Sequence, residues 1–344
     1  MTYSHESMPL AARALLCRLA FVIWLANFAL ASLGHAQSPF VPSQLTPSSP
    51  PLVAQPGPVL SGEPYVDVDV YYDQMRDLDV PGRLVRPDWE EPWTWQVVPS
   101  GLIYRSYLAG VKESRLAALF INEIDNSLLL DATVGGRIAL LRYGTQNPLA
   151  PEGFELDVEA AAFPRINLDR DWDMVSTDFR FGVPLTYGKG KWATKFGYYH
   201  LSSHLGDEQM LRYPDAHDRI NFARDALVLG VSYYVNPSLR LYGETAWAFY
   251  ANEGTDPWEF QFGIDYSPAG PTGPAGTPFL ALNAHLREEV NYGGEFVAQT
   301  GWQWRGDTGL LLRTGVHFLI GQSNQYQFSA TSERQVGVGF WYDY

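Results

Sequence analysis

The sequence predicts an all-β protein: a transmembrane barrel of about twelve antiparallel strands, preceded by a disordered N-terminal extension. Three observations support this fold class. From about Tyr104, segments of about ten residues alternate apolar and polar side chains, as membrane strands do. Short turns and longer polar links alternate between these segments. The last segment ends on an aromatic residue, Tyr344, which is also the last residue of the chain.

Residues 1–36 have the features of a secretory signal peptide. Arg13 and Arg18 supply positive charge, and an apolar stretch follows over 19–33. Ala36 provides the small residue after which cleavage is expected. A membrane anchor is the alternative, but the apolar run is short and a proline-rich segment follows it.

Three further regions follow the signal. Residues 37–64 are rich in Pro, Ser and Gln and are expected to be a disordered linker. Residues 65–100 are acidic and aromatic and are expected to be a periplasmic segment, with a barrel plug as the alternative. Residues 101–344 are expected to form the barrel.

The alternation is clearest in the segment from Trp258 to Tyr266. Every even-numbered residue in it is large and apolar, and every odd-numbered residue is polar or glycine. Twelve strands are predicted on this basis, over 104–121, 130–143, 154–163, 175–187, 191–202, 222–235, 238–250, 258–267, 279–288, 295–305, 310–320 and 335–344. The first is broken at residues 112–114, so it is also compatible with a short extra element followed by a strand.

The links between the strands indicate an orientation. After even-numbered strands they are mostly short, as at 188–190 and 236–237, and after most odd-numbered strands they are longer or more polar, as at 203–221 and 321–334. Bacterial outer-membrane barrels have short periplasmic turns and long outer loops. This pattern predicts the outer membrane, with both termini in the periplasm.

A soluble β-sandwich also alternates, but two features favour the barrel. The apolar face is densely aromatic, which suits a lipid-facing band. The opposite face carries charges of both signs, which a dry core could not hold: Glu155, Asp157, Glu159, Arg180, Arg240, Glu244, Asp265, Arg287 and Arg313. The net charge of −14 argues against nucleic acid as a partner.

The C-terminal strand resembles the signal that the outer-membrane assembly machinery recognises. Val336, Val338, Phe340, Tyr342 and Tyr344 share one face of it. Expected partners are therefore that machinery and the lipid of the outer membrane.

Three segments, 105–113, 195–208 and 301–306, resemble those of a bacterial family known as domain of unknown function 1207. The likeness extends from about Trp89 to Tyr344. Because the family is uncharacterised, the resemblance implies no activity and no site.

One candidate site lies near the end of the fifth predicted strand, at His200 and Ser202. Residues two apart on a strand point the same way, and parity places both side chains on the outward face. On the next strand, the same parity places Asn221 and Asp225 outward. His200 could take the proton of Ser202, and Asn221 or Asp225 could orient the imidazole.

A His-x-Ser sequence at the outer end of a strand resembles outer-membrane phospholipase A and the barrel lipid A deacylases. The resemblance implies a lipid hydrolase whose pair faces the lipid, with a third polar residue orienting the histidine. The chain departs from the phospholipase pattern at Ser203, where that enzyme has asparagine. Calcium is expected only under this alternative, with Ser106, Asp207 and Glu208 as contributors; no other cofactor or metal is predicted.

Three functions are compatible with the sequence. The polar lumen suits a pore, the proline-rich extension suits a structural role in the envelope, and His200 and Ser202 suit a lipid hydrolase. The alternative for the His-Ser pair is that both residues are interfacial polar groups beside Tyr198 and Tyr199. Whether the chain is an enzyme is left open by the sequence.

Overall fold

The computed structural model describes residues 91–123, 127–214, 219–252 and 254–344. The predicted signal peptide (1–36), the predicted linker (37–64) and residues 65–90 lie outside the described residues. In the ranges that are described, no helix is both long enough and apolar enough to cross a membrane.

The regular secondary structure of the described chain consists almost entirely of strands. In chain order they are β1 (Thr94–Val97), β2 (Leu116–Glu123), β3 (Ser127–Gly144), β4 (Gly153–Asn167), β5 (Asp173–Lys189), β6 (Trp192–Leu205), β7 (Ala223–Asn236), β8 (Leu239–Ala251), β9 (Trp258–Tyr266), β10 (Thr277–Arg287), β11 (Gly293–Arg305), β12 (Leu311–Gln322) and β13 (Ser332–Asp343). A short helix, α1 (Asp207–Arg212), follows β6, and 3-10 turns cover Glu288–Val290 and Tyr326–Phe328.

Strands β2 to β13 form a closed barrel in which each strand pairs antiparallel with its neighbours in sequence. The last strand closes it, because β13 pairs with β2 and places Trp341 opposite Ala117. The predicted twelve-stranded antiparallel barrel is therefore confirmed. The ring of Tyr344 lies against β3, where a Cβ on Gly136 would be 3.1 Å from a ring carbon. A larger residue than glycine would crowd this contact.

A thirteenth strand, which the sequence did not predict, extends the wall. The four residues of β1 pair with Leu141–Gly144 of β3. This edge of β3 is free because β2 pairs with β3 only as far as Val134. Trp95 of β1 is 69% exposed, and its ring centroid lies 5.0 Å from that of Tyr143.

The barrel has two ends, which we call the turn end and the loop end. The turn end carries short links such as 190–191 and 237–238, together with the C terminus, and the loop end carries 206–222 and 323–331. The difference in link length between the two ends is less regular than predicted. The link between β4 and β5 covers only 168–172, because the strands continue beyond the predicted boundary at residue 163. The turn-end link 267–276 is among the longer ones.

The outer face of the barrel is an apolar band. On β9 the outward residues are all large, and each is between 36% and 50% exposed: Trp258, Phe260, Phe262, Ile264 and Tyr266. A soluble protein would not leave such a continuous apolar surface in water. On β9 this band begins and ends on an aromatic residue. The 9 residues of β9 also reach the length of about 9–11 residues that a membrane-spanning strand needs. The fold is therefore that of a membrane β-barrel.

The inner face is charged, as the sequence predicted, and most of its charges are paired. Because isolated buried charges are costly, most of its guanidinium and ammonium groups lie against a carboxylate, whereas Arg305 donates to two backbone carbonyls and to the hydroxyl of Ser267. The ion pairs include Arg137–Asp157 (2.5 Å), Arg165–Asp131 (2.7 Å), Lys195–Glu244 (2.6 Å), Arg224–Glu259 (2.5 Å) and Arg313–Asp343 (2.7 Å).

Residues 101–115 correct the sequence analysis. A strand was predicted over 104–121, but only Leu116–Glu123 forms β2, and residues 101–115 fold inside the barrel as an irregular segment that we call the plug. The sequence placed a plug, as an alternative, in 65–100 instead. Tyr104 and Tyr107 of the plug are 1% and 0% exposed.

Wall arginines hold the plug. An irregular buried segment leaves backbone carbonyls without strand partners, and each needs a donor. Guanidinium groups of the wall donate to these carbonyls: Arg142 to Gly101 (2.7 Å), Arg240 to Arg105 (2.7 Å), Arg313 to Leu108 (3.2 Å) and Arg180 to Lys112 (3.0 Å). The plug is therefore fixed by the same charges that alternate along the strands.

The link between β12 and β13, residues 323–331, folds into the loop end, and we call it the cap. Tyr326 of the cap is 3% exposed. The plug, the cap and the wall meet at Asp178 of β5, which accepts hydrogen bonds from Lys112 Nζ (2.6 Å), from the Tyr326 backbone N–H (3.3 Å) and from the Ser203 hydroxyl. The lumen is thus filled by protein from both ends.

Candidate functional site

A cluster of polar side chains lies on the lipid-facing surface near the loop end. His200 and Ser202 belong to β6, and their face of the strand also carries Trp192 and Phe196, which are 55% and 53% exposed. Because the side chains of a strand alternate, both polar residues point out of the barrel, as predicted. Asp225 lies on β7, two residues after that strand begins.

His200 and Asp225 form a hydrogen-bonded pair. They are directly opposite each other in the register of β6 and β7, and Nδ1 of His200 lies 2.9 Å from Oδ1 of Asp225. Their side chains are 41% and 23% exposed. With Asp225 ionised, Nδ1 carries the proton and donates it, which leaves Nε2 as the basic nitrogen.

Tyr198 completes this arrangement, although the sequence analysis gave it no role. Its hydroxyl donates to the same oxygen, Asp225 Oδ1, at 2.6 Å. Its ring centroid lies 6.2 Å from that of Phe249 on β8. Two donors therefore fix the carboxylate. The alternation of side chains along the strand could have identified Tyr198 from the sequence, because Tyr198 precedes His200 by two residues and shares its face.

Ser202 lies one outward position beyond His200, opposite Ala223 on β7 and Phe179 on β5. No hydrogen bond joins Ser202 to His200, both of which are described. Residues two apart on a strand have Cα atoms separated by about 6.5 Å, so the two side chains are neighbours on the outward face. Catalytic hydrogen bonds are often long in enzymes without substrate.

Asn221 was the second candidate for orienting His200. It precedes β7, in the link that follows α1. It lies four residues before Asp225, about 13 Å along an extended chain. The register thus places Asp225, and not Asn221, across from His200.

The residues suggested for calcium do not converge. The carbonyl of Ser106 accepts from Arg240, at the turn end, whereas Asp207 and Glu208 begin α1 at the loop end. Among the residues that the structure describes, no group of three or more His, Cys, Asp or Glu side chains could hold a metal ion.

The fold and this surface together define a class: a closed membrane β-barrel with a filled lumen and a hydrogen-bonded His–Asp pair on its lipid-facing side. The family model for proteins of unknown function, DUF1207, matches residues 93–344, and the chain belongs to that family. The resemblance noted in the sequence is therefore confirmed.

Among solved structures, the chain is similar to outer membrane phospholipase A from Escherichia coli and to the Salmonella typhi outer membrane phospholipase dimer with bound calcium. Each is 12% identical, with a TM-score of 0.44, and each match covers 67% of this chain. The matches cover 96% of the Escherichia coli chain and 90% of the Salmonella chain. No curated protein matches this sequence.

Proposed function

We propose that the barrel is a phospholipase A-like lipid hydrolase, with Ser202 as nucleophile, His200 as general base and Asp225 as the group that orients His200. One observation carries this proposal. On a surface that faces lipid, His200 Nδ1 lies 2.9 Å from Asp225 Oδ1, and Ser202 lies on the same face of the same strand. This arrangement can activate a serine for attack on an ester.

Isolated interfacial polar residues are a weaker explanation of the cluster. Polar residues at headgroup level need only reach water, but here Tyr198 and His200 both bind one oxygen of Asp225. Ionisable residues on a membrane-facing surface are costly and usually functional. A convergent cluster at this position is better explained by chemistry on a lipid.

The chemistry follows from the atoms present. Nε2 of His200 takes the proton of Ser202 Oγ as Oγ attacks the ester carbonyl carbon. Collapse of the tetrahedral intermediate breaks the ester C–O bond, and the imidazolium returns the proton to the departing alcohol. Water, activated by Nε2, then hydrolyses the acyl-Ser202 ester, releasing the fatty acid. Asp225 holds the tautomer throughout.

Location supports the same function. We place the protein in the outer membrane after export and cleavage behind Ala36, with both termini in the periplasm and the loop end outward. The C-terminal strand ending at Tyr344 then serves as the recognition segment for the assembly machinery. In this orientation the His200–Asp225 pair lies in the outer leaflet, where the ester groups of lipids are found. Ser106, Asp207 and Glu208 do not form one calcium site, so no step is assigned to that ion.

Purified protein in mixed micelles is expected to release fatty acid from phospholipid, and Ser202→Ala is expected to reduce that release to the level of empty micelles. Folding of the variant is checked by the shift of unheated protein on SDS gels. Thr194→Ala, an outward polar change on the same strand, serves as the matched control. Equal release by the Ser202→Ala variant and the wild type would exclude the proposal.

The filled lumen favours a second candidate, a closed structural barrel, over a pore. We expect wild-type protein in planar bilayers to show no discrete conductance steps, because the plug and the cap occupy the lumen. A variant lacking residues 101–115 is expected to conduct if it folds. Steps of nanosiemens size in wild-type protein, absent from empty detergent controls, would contradict the closed lumen.

A further inference from the structure

A shallow depression lies on the lipid-facing surface beside His200. Its floor is formed by small outward residues of β4, and larger side chains rise on both sides. We call it the β4 depression; its outward-facing lining residues are Val134, Ala160, Ala162, Phe179, Phe181 and His200, and the inward-facing Arg180 also borders it. Val134, Phe179 and Phe181 are 61%, 45% and 44% exposed.

The strand register connects the depression to the site. Ala160 lies opposite Phe181, and Phe181 lies opposite His200. The same relation holds for the next outward-facing residues, two positions along each strand. Ala162 lies opposite Phe179, and Phe179 lies opposite Ser202. A group bound over the two alanines on β4 is therefore two strand spacings, or about 10 Å, from the proposed base and nucleophile on β6, with Phe179 and Phe181 of β5 between them.

The shape and chemistry of the depression fit a hydrocarbon chain. The side walls stand on β3 and β5, which are two strand spacings apart, or about 10 Å. A methylene chain fits between side chains at that separation, whereas a helix, about 10–12 Å across with its side chains, does not. His200 is the only polar side chain that reaches the depression from the outward face of the described strands.

We infer that the β4 depression binds one acyl chain of the lipid substrate and so directs its ester to His200 and Ser202. This inference rests on the proposed hydrolase and assigns the substrate class: lipids whose acyl chain is long enough to lie over Ala160 and Ala162. Short-chain esters need no such contact. The depression therefore contributes to turnover of long-chain substrates only.

The test is a substitution that fills the depression with a larger side chain. Ala160→Phe is compared with Ala284→Phe, a matched control on β10 that also faces outward and lies between Phe262 and Phe296. We expect Ala160→Phe to lower fatty-acid release from dipalmitoyl phosphatidylcholine at least tenfold and to leave p-nitrophenyl butyrate hydrolysis within twofold. Ala284→Phe is expected to change neither rate. Equal effects of the two variants on the long-chain substrate would overturn the inference.

A second readout does not depend on turnover. In the Ser202→Ala variant, phosphatidylcholine with a diazirine on one acyl chain is photolysed, and the labelled peptides are identified by mass spectrometry. Labelling concentrated on residues 134–162 and 179–181, and lost in Ser202→Ala/Ala160→Phe, supports the depression. Uniform labelling around the barrel overturns it. If the wild type shows no Ser202-dependent hydrolysis but labelling is still concentrated, the hydrolase fails and the lipid site stands.

Discussion

Replacement of Asp225 by alanine is expected to lower fatty-acid release by about 10³- to 10⁴-fold, the size of effect seen when the group that orients a catalytic histidine is lost. The reason is the tautomer. Without the carboxylate, nothing on β7 requires the proton of His200 to stay on Nδ1, and Nε2 is basic in only part of the molecules. The measurement is kcat on phospholipid in mixed micelles.

Asp225→Asn tests the tautomer directly. The amide NH2 group can face His200 Nδ1 and hold the wrong tautomer, and the imidazolium that forms in the transition state loses its counter-charge. We expect a loss of about 10⁴-fold, most of it in kcat. If Asp225→Ala retained activity equal to that of Thr194→Ala, Asp225 would have no role in orienting the base.

Replacement of Asp178 by alanine is expected to have the largest effect on stability. Asp178 is fully buried and accepts from the ammonium group of Lys112 at 2.6 Å, so its loss leaves Lys112 buried and without its counter-charge. Removing one partner of a buried ion pair typically costs about 3–5 kcal/mol. The loss is measured as the change in the free energy of unfolding in urea, in micelles where refolding is reversible.

Asp173→Ala is the matched control on the same strand. Asp173 pairs with Arg212, whose side chain is 42% exposed, and exposed pairs are worth about 0–1 kcal/mol. We expect Asp178→Ala also to loosen the plug and the cap together, seen as faster hydrogen exchange in residues 101–115 and 323–331. If both variants lowered stability equally, Asp178 would not be the junction of these segments.

The strands were predictable from the sequence because each has one face in lipid and one against charges. Alternation with a period of two is then unavoidable, and β9 begins at the predicted residue, Trp258, and ends one residue before the predicted boundary. The closing role of β13 followed in the same way. The strand ends were less predictable, because β4 and β5 continue beyond the apolar band, where lipid no longer selects the side chains.

The plug could not be located by the same reasoning. Its residues are enclosed by the charged wall, so they obey neither the alternation of a strand nor the period of a helix. Leu102, Ile103, Tyr104, Tyr107 and Leu108 were therefore assigned in part to a strand. The cap was similarly hidden, because a polar link of that length is equally compatible with an exposed loop.

The site was partly predictable. Parity placed His200, Ser202 and Asp225 outward on neighbouring strands, and the structure joins His200 to Asp225. Parity could not decide between Asn221 and Asp225, since both lie on the same face. That choice depends on the register of β6 with β7, which the sequence does not fix. The β4 depression depends on four strands and could not be seen from any one of them.

Covalent labelling of Ser202 is the most direct test of its role as the nucleophile. A serine-directed fluorophosphonate with a long alkyl chain is incubated with the folded protein in micelles, and adducts are located by mass spectrometry. We expect an adduct on Ser202 that is lost in His200→Ala and formed at the wild-type rate in Thr194→Ala. Absence of an adduct from Ser202, or an adduct that forms at an unchanged rate in His200→Ala, would show that Ser202 is not a nucleophile activated by His200.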